Sequence, residues 1–395
     1  MTYKLAALAP HPIQYQAPLF RKLAEHPDID LTVYFCWDFG GKGEVYEPGF
    51  GKKIKWDVPV LEGYKYKFLP NLSPRAGSSF LGQINPSIIK ELLNNKYDAV
   101  WIHGYATLSN WFAFLGAWFS KTPVVLRGES HLLNYRPVWK RLLKWAMLTP
   151  LFKRVNAFLA IGALNKEYYQ NYDVPEKKIF HVPYIVDEDF FGKHNEKYKS
   201  KDSEIRRELG LSRDDIIILY AGKIFGQKGP GAFDLVKAFE KLQDVNQVSL
   251  VFVGDGKEKH ILEKYVKDKE IKNVIFAGFK NQTELPKYYK VADIFALPSH
   301  TEQWGMAINE AMYFGTAIVA SDQVGAAYDL VRDGVNGYKF PVAKVDVLAG
   351  YLRNIIRDRE LLHSMKIESR RIIQDWNLET AVSGVLDALN YLKRR

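Results

Sequence analysis

Short runs of consecutive apolar residues, each closed by a glycine, proline or polar residue, recur along the chain. In the first half they are "KLAALAP", "IDLTVYFCW", "YDAVWIHG", "TPVVLRG" and "AFLAIG"; in the second half they are "DIIILYAG", "SLVFVGDG", "NVIFAGF", "DIFALPS" and "TAIVAS". Runs this short and this rich in Val, Ile, Leu and Ala read as strands buried on both faces, the pattern of parallel sheets covered by helices. Amphipathic stretches such as "GAFDLVKAFEKLQ" lie between them and supply those helices. The pattern predicts an α/β protein with two doubly wound, Rossmann-like parallel sheets. From Lys193 to Arg207 the only aliphatic residue is Ile205, so a surface connection is expected near residues 188–205. The expected organisation is a first domain over residues 1–190, a second over 205–372 and a terminal helical segment over 373–395.

Composition narrows the class. With 395 residues the chain exceeds what one core usually serves, in keeping with two domains. Hydrophobic residues at 47% and charged residues at 25% are ordinary globular values and argue against disorder and against a multi-span membrane protein. The single cysteine, Cys36, excludes disulfides and cysteine-based zinc sites within the chain and fits a reducing cytoplasm. The opening "MTYKLAALAPHPIQYQ" is broken by Pro10 and Pro12, too short for a signal-peptide core, and "WFAFLGAWF" is about half of a membrane span.

A net charge of +10 favours anionic partners. Lys and Arg are scattered rather than gathered in a nucleic-acid-like tail, with one concentration over residues 136–154. There Lys140, Arg141, Lys144, Lys153 and Arg154 alternate with Trp139, Leu142, Leu143, Trp145, Met147 and Leu148. Such a helix reads either as an interfacial binder of anionic membranes or as a core helix with a solvated basic face. The expected location is cytoplasmic, peripheral on the inner membrane face if the first reading holds.

In open parallel sheets ligands bind beyond the carboxyl ends of the strands, so the loops there hold the candidate chemistry. After "IIILYAG" comes "KIFGQKGPG", where Lys223 and Lys228 bracket a turn carrying Gly226, Gly229 and Gly231, next to Gly222. Glycines admit close backbone approach and the two ammonium groups neutralise phosphate charge. The P-loop pattern is absent, which disfavours an NTPase. After "DIFALPS" comes "HTEQWGMAINEAM", with Glu302 and Glu310 separated by seven residues. A helix starting near Met306 sets the Trp304, Gly305 and Met306 amides in its first turn, where anions are attracted. Glu310, one turn in, and Glu302, in the preceding loop, can accept hydrogen bonds from hydroxyls. Cations, helix amides and hydroxyl-seeking acids together describe a nucleotide-sugar site.

The ordered segments "YAGKIFGQKGPGAFDLVKAF", "LVFVGDGKE", "VIFAGF", "VADIFALPSHTEQWGMAINEAMYFGTAIVAS" and "VGAAYDLVRDGVNGYKF" resemble the C-terminal domain of the retaining GT-B glycosyltransferases of family 4, over residues 215–345. The resemblance implies a GT-B fold with a cleft that closes on the donor and a terminal helix, after Trp376, crossing back onto the first domain. It implies transfer of a hexosyl-type group from a nucleoside diphosphate sugar to a sugar, lipid-linked or other hydroxyl acceptor, with retention, as in glycan or polysaccharide assembly. It further implies that Glu310 holds the ribose, Glu302 the transferred sugar, Lys228 and Lys223 the phosphates, and that Phe279 borders the base. No metal or other cofactor is implied, since fixed cations and amides can stabilise the departing diphosphate.

Lys223 stands where the family usually has arginine, which keeps the charge without the bidentate fork. The first loop, "APHPIQYQAP", has no glycine, and Arg127-Gly128-Glu129 replaces a frequent histidine. His103, Glu129 and His131 are the acceptor-side candidates, and nucleic acid is not an expected partner. A nucleotide-sugar epimerase of the same architecture would share the donor site but need no acceptor. A non-enzymatic basic membrane-surface protein would account for the charge and leave the ordered motifs unexplained.

Overall fold

The computed structural model describes residues 2–41, 43–133, 137–224 and 231–394. In chain order the strands are β1 (Tyr3–Ala9), β2 (Ile29–Phe35), β3 (Val45–Glu47), β4 (Lys52–Ile54), β5 (Lys65–Phe68), β6 (Ala99–His103), β7 (Val124–Arg127), β8 (Ala157–Ala160) and β9 (Ile179–His181), followed by β10 (Ile216–Ala221), β11 (Val248–Val253), β12 (Val274–Gly278), β13 (Ile294–Leu297), β14 (Ala317–Ser321) and β15 (Gly337–Phe340). The residues fall into two compact units. One holds residues up to Val45, Val58–Ile185 and those from Asn377 onward; the other holds Tyr46–Asp57 and Val186–Trp376.

The first unit is built on a seven-stranded sheet in the order β5-β2-β1-β6-β7-β8-β9, with every pair parallel. Its central strands are apolar on both faces because helices cover both. On one face Leu5, Ala7, Trp101 and Leu159 pack with Phe20 and with Ala381, Val385 and Leu389 of the terminal helix Leu378–Lys393. On the other, Leu8, Ile102 and Leu126 pack with Phe114, Leu151 and Phe152. The edge strand β5 is exposed, and its Lys65 and Lys67 pair with Asp30 and Glu91, charges that blunt an open edge.

Helix Val138–Arg154 joins this core through Leu148, Leu151 and Phe152 near its end. Its first turns expose Trp139 (63%), Leu142, Leu143 (66%) and Trp145 to solvent. It contains no acidic residue. The core-helix reading of this stretch thus holds for its last turns alone. No helix among the described residues is long and apolar enough to cross a membrane.

The second unit has a six-stranded, all-parallel sheet in the order β12-β11-β10-β13-β14-β15. Strands β10, β11, β13 and β14 are buried along their whole length, as their unbroken apolar runs demand. Residues 188–205, expected as a connecting surface stretch, begin with helix Glu188–Lys197. Asp187 caps that helix by accepting from the Phe190 amide at 3.1 Å, and Phe191 packs on Tyr313 and Phe314. The strand order reverses at β10 and β13, whose outgoing loops diverge. That reversal is where a doubly wound sheet opens a crevice for ligands.

Candidate functional site

The loop after β13 is held as a frame. Its Glu302 amide donates to Gln323 O at 3.1 Å, the Gly325 amide donates to Glu302 O at 3.2 Å, and the Ala326 amide donates to Trp304 O at 2.8 Å. These bonds fasten it to the loop after β14. Helix Met306–Tyr313 then starts where its composition predicted, with Gly305 as N-cap at φ 99°, in the left-handed region. A Cβ at Gly305 would lie 3.0 Å from Val324 Cγ1 and 3.1 Å from Leu297 Cδ2, so both conformation and space ask for glycine. Trp304 is buried; its indole N–H donates to Asn309 Oδ1 at 2.9 Å and its ring lies 5.2 Å from that of Trp376. The Trp304 side chain therefore braces the turn. Met306 opens the helix and is half-buried.

Glu310 lies on that helix beside Tyr289 of helix Leu285–Val291, whose hydroxyl donates to its Oε2 at 2.7 Å. Burial pushes the Glu310 carboxyl up to about 7, against the opposing pull of the tyrosine hydrogen bond. A carboxylate in so poorly solvated a place is suited to accept hydrogen bonds from the hydroxyls of a ligand. Glu302 faces the loop after β10. Its charge, after burial, helps hold the Tyr220 phenol far above its ordinary range, and the Tyr220 hydroxyl donates to Lys223 O at 2.8 Å. Glu302 thus lies within electrostatic reach of Tyr220, the β10 residue whose hydroxyl is bonded to the loop that carries Gly222 and Lys223. His300 Nε2 and Asp234 Oδ2, 2.6 Å apart, tie the loop after β13 to the first turn of helix Ala232–Glu240. Gly222 donates its amide to Val253 O at 2.9 Å. Lys228 lies outside the described residues.

Lys223 reaches Glu47 Oε1 at 2.9 Å. Glu47 belongs to the Tyr46–Asp57 segment, which carries the two-stranded β3–β4 sheet and is counted with this unit. Phe279, after β12, meets Phe50 of the same segment with ring centroids 4.8 Å apart. Neither partner carries a sequence signal, and both were missed.

In the first unit His103 ends β6, in register with Arg127 of β7. Its ring stacks on Trp101 at 4.8 Å and its Nε2 is buried without a hydrogen-bond partner. Burial, then the Arg127 charge, holds His103 well below its ordinary range, so it is neutral at pH 7. Arg127 is buried between Trp101 and Tyr184, with its guanidinium 4.8 Å from the Tyr184 ring, and the Tyr184 hydroxyl donates to Glu129 Oε1. Glu129 and His103 therefore gather around Arg127, a residue that sequence reasoning passed over. His131 stands elsewhere, in a pocket of about 550 Å³ lined also by Leu133, Arg141, Trp145, Tyr168 and Tyr172. No group of three or more His, Cys, Asp or Glu side chains placed to hold a metal ion occurs among the described residues.

Residues 201–372 match the family model described as glycosyl transferases group 1. An uncharacterized glycosyltransferase of Methanocaldococcus jannaschii is 32% identical over 154 residues, 39% of each chain. The D-inositol 3-phosphate glycosyltransferase of Xylanimonas cellulosilytica is 31% identical over 227 residues, 55% of this chain and 52% of the relative. The alpha-D-kanosaminyltransferase of Streptomyces kanamyceticus is 25% identical over 57% of each. The matches thus span 39% to 57% of the length of these curated relatives. Among solved structures, Anabaena HepE in complex with UDP superimposes with a TM-score of 0.75 over 99% of this chain and 100% of that one, at 17% identity. At that identity the likeness shows the fold, which is GT-B. The two doubly wound sheets, the acidic motif at the strand-order reversal and the match over residues 201–372 agree: the second unit carries a domain of the glycosyl transferases group 1 type, in a chain with the GT-B fold.

Proposed function

We propose that the chain transfers a sugar, with retention, from a nucleoside diphosphate sugar held by the second unit to a hydroxyl of an acceptor held by the first. One observation carries this reading. The family-matched residues set Glu302, Lys223 and the start of the Glu310 helix around a single strand-order reversal, and Glu310 is a poorly solvated carboxyl suited to hydroxyl ligands. HepE has been solved with UDP-glucose, which makes UDP-glucose the first donor to try.

In the proposed reaction the bond from the anomeric carbon to the diphosphate oxygen breaks as the acceptor oxygen bonds to that carbon. The acceptor proton passes to the departing phosphate oxygen. Negative charge growing on the diphosphate is met by Lys223, by Lys228 as the resemblance implies, and by the first-turn amides at residues 304–306, acting without a metal ion. Glu310 takes the ribose hydroxyls and Glu302 those of the sugar. His103, neutral and beside Arg127, and Glu129 line the acceptor side. The exposed apolar and acid-free basic start of helix Val138–Arg154 supports an anionic membrane surface as a further partner, with a lipid-linked acceptor in glycan assembly.

Incubation with UDP-glucose and sugar acceptors, followed by NMR of the products, tests the reading. Release of UDP with a new axial glycosidic linkage is expected. A rearranged sugar nucleotide formed without acceptor would instead identify an epimerase.

A further inference from the structure

The Tyr46–Asp57 segment lies over the carboxyl-end loops of three adjacent strands of the second unit, and each loop meets it through a different chemistry. After β10, Lys223 Nζ sits 2.9 Å from Glu47 Oε1 and 5.3 Å from the Phe50 ring. The same Glu47 oxygen accepts the Gly49 amide at 3.0 Å, so it is already aimed when the lysine meets it. After β11, Asp255 Oδ2 sits 2.6 Å from Lys52 Nζ. After β12, Phe279 meets the Phe50 edge and the Lys52 ammonium, 4.9 Å from its ring. Beyond it, Asn281 donates to Lys55 O at 2.6 Å and the Thr283 amide donates to Asp57 Oδ2 at 3.1 Å. The approach is close enough that a Cβ at Gly49 would lie 2.5 Å from Lys223 Cδ.

These contacts cover the two side chains that the donor reading gives to phosphate and base, Lys223 and Phe279. Glu47 presents Lys223 with an oxygen anion at hydrogen-bond distance, which is what a donor phosphate would present. Phe50 covers Phe279 as a base would. A cation with one ammonium group and a glutamate already on it cannot take a diphosphate at full strength until that glutamate yields.

We infer that the Tyr46–Asp57 hairpin is a strap that occupies the donor's phosphate and base positions through Glu47 and Phe50 and is displaced by the donor. The inference rests on the proposed role of Lys223. Its consequence is a reduced apparent donor affinity, lowered by the fraction of molecules with the strap undocked. A second consequence is that the loops are kept paired in the absence of donor.

Calorimetric titration of the full chain with UDP, using the unaltered protein, Glu47→Gln, Phe50→Ala and Lys223→Gln, tests it. Hydrogen exchange of the 46–57 amides is followed alongside, with and without UDP. Glu47→Gln and Phe50→Ala should each bind UDP about 3- to 10-fold more tightly, the factor by which freeing a mostly docked state raises affinity. UDP should accelerate exchange in the segment. Weaker or unchanged UDP binding by both variants, with Lys223→Gln still losing affinity, overturns the strap and leaves the donor site standing. Unchanged binding by Lys223→Gln removes Lys223 from the donor site and the strap with it.

Discussion

Glu310 shows what a single residue can settle. Its carboxyl titrates near 7 because burial disfavours the charged form, so between its ordinary value of 4.5 and about 7 the folded chain holds a proton that the unfolded chain has lost. This group's contribution to stability therefore falls as pH rises through that window. Glu310→Gln should raise the melting temperature relative to the unaltered chain at pH 8, with a smaller gain or none at pH 5, as scanning calorimetry would record. The same substitution should weaken nucleotide binding, since an ionised acceptor of two hydroxyls becomes an amide that can accept fewer; an unaltered affinity would remove the ribose role. Gly305 makes a separate prediction. Gly305→Ala should cost about 1–3 kcal/mol in urea unfolding, because φ 99° and contacts at 3.0 Å act together. Gly334→Ala, at φ 76° with nothing within 4 Å of its added Cβ, should cost less; equal losses would show that space around Gly305 does not matter. The acid motif was legible because its spacing and the helix composition after it are local. Tyr289 was not, since its approach to Glu310 comes from another helix and leaves no mark in the sequence.

At the scale of elements, the buried strands were readable from their unbroken apolar runs, and β10, β11, β13 and β14 are buried throughout. The strands that went unread are the short and peripheral ones, β3, β4, β5, β9 and β15, of three or four residues each. β5, as "KYKF", faces water on an edge and has no continuous run to show. Helix Val138–Arg154 was ambiguous for a physical reason: its one stretch of sequence does two jobs, core packing at its end and exposure of Trp139, Leu142 and Trp145 at its start. Flotation with vesicles containing anionic lipid should carry the unaltered chain upward, less at high salt. Lys140→Glu, Arg141→Glu and Lys144→Glu together should leave it at the bottom. Flotation unaffected by these changes, or none with the unaltered chain, would dismiss the membrane surface.

For the whole molecule, the two sheets share one winding, and each reverses its strand order beside its first strand, β1 against β6 and β10 against β13. The division of the chain is less simple than a cut in the middle. The terminal helix packs in the first unit, whereas Tyr46–Asp57, drawn from the first half of the sequence, is counted with the second. No composition shift announces either exchange, because both depend on contacts made hundreds of residues away. On the proposed function, the second unit binds a nucleoside diphosphate through its lysines and the Glu310 helix without metal. Calorimetric titration with UDP, GDP and ADP in EDTA, on the unaltered chain, Lys223→Gln and Glu310→Gln, tests it most directly. Saturable binding of one nucleotide is expected, weakened by about 1–3 kcal/mol in each variant, the scale of a lost charge-assisted contact. Absence of binding until a divalent cation is added, or binding indifferent to both substitutions, would contradict it.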